Sequence, residues 1–275
     1  MWRRVTGAVA AASLLGACSG AVHQLPLVDQ NNLNLAQAEV QKAGGAPQRR
    51  SVTDEEAMAT LQAAVDRIRP VALQVCREMS VGTCDWNITA MRDRSLNASA
   101  GPNGVVTVNR GVVEYSATEE EVMVVIAHEI GHQAANHVAA GQKNQVVGAL
   151  VGGLLFGLIG AAATSNSRSG PYVTSQAMQS GTQFGAAIGR ISYSKEQERE
   201  ADYLAALILY RAGVDLDKAR GILVTMARAS GRKETGMLDT HPAGPERLAA
   251  WDKAVAEIRA SNGALPKRKI GRAHV

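Results

Sequence analysis

The sequence predicts a mainly α fold with a small β-sheet. Long stretches carry apolar residues at helical spacing behind capping residues, whereas only two short runs have β character, Trp86 to Met91 and Val105 to Val108. Those runs flank the turn signal Gly101-Pro102-Asn103-Gly104. Composition agrees: 275 residues that are 46% apolar and only 4% aromatic fit an Ala- and Gly-rich globular chain able to bury a sizeable core. It excludes collagen, a disulfide-dense miniprotein and a disordered chain. A net charge of +4, spread without basic runs and with few aromatics to stack bases, gives no support for nucleic-acid binding.

At the N-terminus, Trp2-Arg3-Arg4 followed by apolar Val5 to Gly16 reads as a signal peptide over residues 1–17. Its end, Leu14-Leu15-Gly16-Ala17-Cys18, resembles the bacterial lipobox, in which cleavage precedes the cysteine and the thiol is lipidated. Ser19 stands where inner-membrane lipoproteins often carry Asp, so the resemblance implies an outer-membrane lipoprotein facing the periplasm. Residues 18–50 show no sustained period and read as a flexible tether to that anchor. Cys76 and Cys84 then form an even pair. In an oxidising periplasm they predict a disulfide between a helix end and the following loop.

A domain is expected over residues 51–262. Thr53-Asp54-Glu55-Glu56 signals a helix start. Met58, Leu61, Val65, Ile68, Val71, Leu73 and Val75 continue it at roughly helical spacing, with a kink expected at Pro70. Ser116 to Glu121 caps a second helix that should run to about Ala140, and helices also fit 195–212, 215–230 and 244–260.

The second helix carries His128-Glu129-Ile130-Gly131-His132. Residues four apart share a helix face, so both imidazoles can meet one zinc ion. Glu129 lies about 100° further round, in reach of an attacking water as general base without binding the metal. Val125, Ile126, Ala127, Ile130 and Gly131 around it are uncharged, and a buried His-Glu-His set without a metal would be costly. Hydrolytic zinc usually has three protein ligands and one open position. His137 falls on the opposite face of an ideal helix and reads as structural. The acid-rich start Ser194 to Asp202 offers more. Glu198 and Asp202 lie four apart, so one can bind zinc while the other orients a ligand histidine; equally, these acids can cap a helix and pair with Lys195 and Arg199.

The strings HEIGH, YSKEQEREADYLA and HPAGPER together resemble the M48 family of zinc metallopeptidases, which includes bacterial periplasmic lipoproteins and CAAX-prenyl endopeptidases. The likeness covers roughly residues 55–260 and implies a zincin-like domain with the HExxH helix at its centre. It implies one Zn2+ per chain held by His128, His132 and Glu198, Glu129 as catalytic base, Asp202 supporting a ligand histidine, and site roles for His241 and Arg247. His241 would either fill the fourth zinc position or donate a hydrogen bond to the oxyanion.

The implied activity is endopeptidase cleavage of unfolded or misassembled envelope proteins, with the outer-membrane assembly machinery as a further partner. The alternatives are an assembly or chaperone-like factor with a latent zinc site, or a zinc hydrolase of another substrate. An extended substrate is expected to add as a strand to an edge near Val105–Val108. Val146 to Ala163 reaches the lower length limit for a membrane span, but one crossing would part His132 from Glu198. Residues 146–190 are therefore expected to form an apolar, Gly-rich flap or cover beside the cleft, with contact to a lipid surface as the lesser alternative. Residues 263–275 read as a tail. Ile270 to Val275 matches the in-frame reading of a common sequencing adapter, so His274 is not counted as a ligand.

Overall fold

The computed structural model describes residues 20–163, 170–188, 193–229, 241 and 244–269. The segment read as a signal peptide, Cys18 and the segment read as adapter-derived lie outside the described residues.

The architecture is built around α4 (Glu119–Ala134). The Thr118 side chain accepts from the Glu121 amide, and Glu119, Glu120 and Glu121 set negative charge against the helix N-terminus. From Glu121 to Ala134 every residue is buried, the mark of a helix packed on all sides. Around it lie α2 (Asp54–Met79) and α7 (Lys195–Arg211), with α10 (Pro245–Ala260) packed on α7. Both flanking helices open on a capping box, Thr53 with Glu56 and Ser194 with Gln197. Gly131 sets the spacing between α4 and α7. A Cβ there would stand 3.0 Å from the Ala201 carbonyl oxygen, so the missing side chain lets the two backbones approach. α2 continues through Pro70 as one helix.

Three short strands form the sheet, β1 (Asn87–Met91), β2 (Ala98–Ala100) and β3 (Val105–Asn109), in the order β1-β3-β2. β1 runs parallel to β3, pairing Ile88 with Val106, and β2 runs antiparallel, pairing Ser99 with Thr107. Val105–Val108 therefore sits in the centre of the sheet, not at an edge, and the free edges belong to β1 and β2. The error has a simple source. Ala98-Ser99-Ala100 is three residues without a β-branched side chain, too weak a signal to reveal the strand that covers β3. After β3 come α3 (Arg110–Tyr115) and α4, and after α7 come α8 (Leu216–Ala219) and α9 (Gly221–Ala229).

The expected tether is folded onto the domain. α1 (Gln30–Ala43), capped by Asp29, packs on α9 and α10 with Ala36 buried, and Arg220 grips Glu39 through both terminal guanidinium nitrogens. Before it, the Gln24 amide donates to Lys267 and the Lys269 amide to Val22, so residues 264–269 of the expected tail also belong to the fold. A helix this polar owes its stability to tertiary contacts that a local window cannot see.

Residues 146–190 fall largely in α5 (His137–Ala163) and α6 (Gly170–Ile188), which pack against each other. Gly153, Gly157 and Gly160 lie on the contacting face, near Thr182, Met178 and Ala177. Leu150, Leu154, Leu158 and Ile159 are exposed, and α5 is long and apolar enough to cross a membrane by length and composition. Cys76 and Cys84 are joined in a disulfide with Cα atoms 5.8 Å apart, tying the end of α2 to the loop before β1.

Candidate metal centre

His128 and His132 project from α4, Glu198 from the first turns of α7, and His241 from the segment ahead of α10. One donor atom from each lies within 4.8 Å of all the others. His128 Nε2 is 3.1 Å from His132 Nε2 and 3.2 Å from His241 Nδ1. Glu198 Oε1 is 2.9 Å from His241 Nδ1 and 3.4 Å from His132 Nε2, while its Oε2 is 3.5 Å from His128 Nε2. Donors on a tetrahedral zinc at ~2.0–2.1 Å stand roughly 3.3 Å from one another. The measured separations scatter around that value, so the four residues fit a single tetrahedral cation. None is more than 2% exposed.

The surroundings fix each donor. Asp202 Oδ1 lies 2.9 Å from His128 Nδ1, which leaves Nε2 facing the cluster. Arg247 holds that carboxylate by two bonds, Nε to Oδ2 at 2.8 Å and Nη2 to Oδ1 at 2.7 Å, and its Nη1 reaches Glu198 Oε2 at 3.1 Å. Burial pushes the Asp202 and Glu198 carboxyls up, but the Arg247 charge and the neighbouring histidines outweigh it and hold both below the usual carboxylate range. One guanidinium thus keeps two buried carboxylates ionised.

Glu129 is fully buried, and neither of its oxygens has a hydrogen-bond partner among the described residues. Its Oε1 stands 3.6 Å from His241 Nε2. An unpartnered buried carboxylate is costly, and it is what a base awaiting the proton of a water presents. Tyr193, ahead of α7, stacks on the His132 ring with centroids 3.7 Å apart, and its buried hydroxyl also lacks a partner among the described residues. The site residues named from the sequence, Glu129, His128, His132, Glu198, Asp202, His241 and Arg247, thus come together in one place. Cys76 and Cys84 lie apart from them, in the disulfide.

Three contributors escaped the sequence. A continuous helix would carry His137 to the far face, but α4 stops at Ala134 and Asn136 takes a left-handed φ of 63°, so His137 starts α5 with its Nδ1 3.0 Å from His132 Nδ1. Its Nε2 lies 2.8 Å from Glu200, which in turn meets His23 at 2.6 Å. His23 lies in the segment read as a tether, where no periodicity singles it out. Asn136, ahead of a second helical run, was the available signal for the break.

Burial pushes the Glu200 carboxyl up, yet hydrogen bonds from His137 and His23 outweigh it and hold it at about 2, against an ordinary 4.5. A carboxyl held below its unfolded value stabilises the fold above that value and loses the contribution as pH falls from 4.5 towards 2. Metal-free Glu200→Gln should therefore lose less stability across that window than the unsubstituted protein, by about 3 kcal/mol. Superimposable acid-unfolding profiles would contradict the assignment.

Residues 62–255 match the sequence model described as peptidase family M48. The chain is similar to the mitochondrial metalloendopeptidase OMA1 of Arabidopsis thaliana, with 27% identity over 162 residues, 59% of this chain and 30% of that protein. It is 32% identical over 168 residues to the beta-barrel assembly-enhancing protease of Escherichia coli, 56% of this chain and 31% of the relative. It is 31% identical over 155 residues to the metalloprotease YcaL of the same organism, 55% of each. The chain spans about a third to about half of the length of these relatives.

Proposed function

The chain belongs to peptidase family M48, and on that premise we propose that it is a zinc-dependent endopeptidase of the bacterial envelope. The observation that carries the reading is the four-donor cluster set beside a buried Glu129 whose oxygens make no hydrogen bond among the described residues. When bound, zinc supplies a Lewis acid that polarises a carbonyl and acidifies water. The chain supplies the rest. Glu129 takes the proton of the water attacking the scissile carbonyl and returns it to the departing amine. Asp202 and Arg247 hold His128 and Glu198 in place, so these two donors need not reorient during the reaction.

Unfolded or misassembled envelope proteins are the proposed substrates, supported by the naming of one relative as a beta-barrel assembly-enhancing protease. Lipidation at Cys18 and an outer-membrane position facing the periplasm belong to the same proposal, resting on the lipobox resemblance. An extended substrate pairing with the sheet would use β2, the edge strand that packs against α4.

His241 makes the site latent in this reading. Its Nδ1 completes the four donors, where a hydrolytic site keeps a position open, and the cluster is buried. The test is degradation of casein by the purified protein, stopped by a chelator and restored by zinc. His241→Ala should raise the basal rate, on the order of tenfold if the closed form outweighs the open one by that ratio. A fall in kcat with metal content unchanged would make His241 an oxyanion donor instead. No degradation by either protein would favour the assembly factor.

A further inference from the structure

Asp202 and Arg247 account for how His128 is held, whereas the polar residues behind His132 have no part in the proposed reaction. We propose that His137, Glu200 and His23 are positioning residues that fix His132 as a metal ligand, so that the N-terminal segment at Val22–His23 is part of the metal centre. The inference rests on the reading of His132 as a ligand.

A continuous line of short contacts carries it. His132 Nδ1 faces His137 Nδ1 at 3.0 Å, and His137 Nε2 faces Glu200 Oε2 at 2.8 Å. The other oxygen of Glu200, Oε1, is 2.6 Å from His23 Nδ1 and accepts from the His23 amide at 2.8 Å, while the Val22 amide donates to Oε2 at 2.8 Å. His23, His137 and Glu200 are each no more than 1% exposed. Burial shields these bonds from bulk solvent.

The direction of the bonds follows from the chemistry of the groups. An ionised carboxylate only accepts, so His137 Nε2 carries a hydrogen. In a neutral imidazole Nδ1 is then an acceptor, and the facing His132 Nδ1 has to donate to it. That places the lone pair of His132 on Nε2, the atom aimed at the other three donors. The two ligand imidazoles are thus set differently: His128 by a carboxylate directly, His132 by a carboxylate acting through a second imidazole.

Glu200 has four donors on its two oxygens, and three of them come from Val22 and His23. Those two residues therefore decide where the carboxylate sits and how it meets His137. They are themselves clamped. The Gln24 amide donates to the Lys267 carbonyl at 2.8 Å, the Lys269 amide donates to the Val22 carbonyl at 2.9 Å, and Arg199 of α7 donates to the Pro26 carbonyl. A stretch read from the sequence as a passive tether is on this account the outer wall of the metal site.

The test uses the full chain with His23→Ala, Glu200→Gln, His137→Leu and His137→Gln. The readouts are the zinc dissociation constant by chelator competition, the visible spectrum of the cobalt-substituted protein and the Tm of the metal-free protein. Glu200→Gln and His137→Leu should weaken zinc binding about 10–100-fold and alter the cobalt spectrum. His23→Ala should do so by about 10-fold, the lower end of that scale. His137→Gln should recover most of the loss, because its amide can accept from His132 and donate to Glu200. Unchanged zinc affinity and cobalt spectrum in folded Glu200→Gln and His137→Leu would overturn the proposal. So would losses that merely track the metal-free Tm with no recovery in His137→Gln. Failure of the unsubstituted protein to bind metal would overturn the metal-centre reading itself and take this proposal with it.

Discussion

Glu129→Gln is expected to keep stoichiometric zinc and lose peptide hydrolysis by about 10²–10⁴-fold, the range that general acid–base catalysis contributes. The separation of the two effects follows from where Glu129 sits. It lies on α4 between the two histidines, yet it is not among the four donors that converge. Replacing it removes no ligand. Its oxygens make no hydrogen bond among the described residues, so the isosteric amide breaks none. The fold and the metal set should survive, and only the group able to take a proton is gone. Elemental analysis and casein turnover on the same sample decide it. Zinc lost together with activity would show that Glu129 helps hold the metal and that the ligand set is misassigned.

The inner part of this site was legible in the sequence because it is local. A Thr118 cap, an apolar helix and two histidines four apart are all visible within one short window, and helical geometry does the rest. Glu198 and Asp202 were legible as a pair for the same reason, but spacing gave them two readings, and only family likeness separated ligand from support. The structure explains why spacing could not. What distinguishes the two acids is that His241, 43 residues beyond Glu198, meets that acid, while Arg247, 45 residues beyond Asp202, holds Asp202 by two bonds. The outer part was hidden for a related reason. Val22 and His23 reach Glu200 across more than 170 residues, through contacts that leave no periodicity in a polar N-terminal stretch. The misplaced sheet edge and the misjudged face of His137 are smaller instances of one cause. In each, a weak local signal, a three-residue strand or a single left-handed Asn136, redirected everything after it.

The largest loss of metal is expected from Glu198→Ala combined with His241→Ala, and the comparison with the single substitutions reports how many donors the site uses. Glu198→Ala alone leaves His128, His132 and His241, a set of three imidazoles that zinc accepts in a tetrahedral site. It also frees Arg247 Nη1, which loses its carboxylate partner at 3.1 Å, though the same guanidinium keeps both bonds to Asp202. The single variant should therefore still bind zinc, about 10²-fold or more weaker, since losing a ligand exceeds the ~10–100-fold typical of a supporting group. Asp202→Asn, which removes only the support of His128, should fall within that smaller range. In the double variant two imidazoles remain, and stoichiometric zinc should no longer survive dialysis. The losses should then exceed the sum of the two single effects in free energy, because each single variant keeps three donors and the double variant only two. If His241 is no ligand, adding its substitution to Glu198→Ala changes zinc affinity no further. Equal affinities in Glu198→Ala and Asp202→Asn would remove Glu198 from the ligand set.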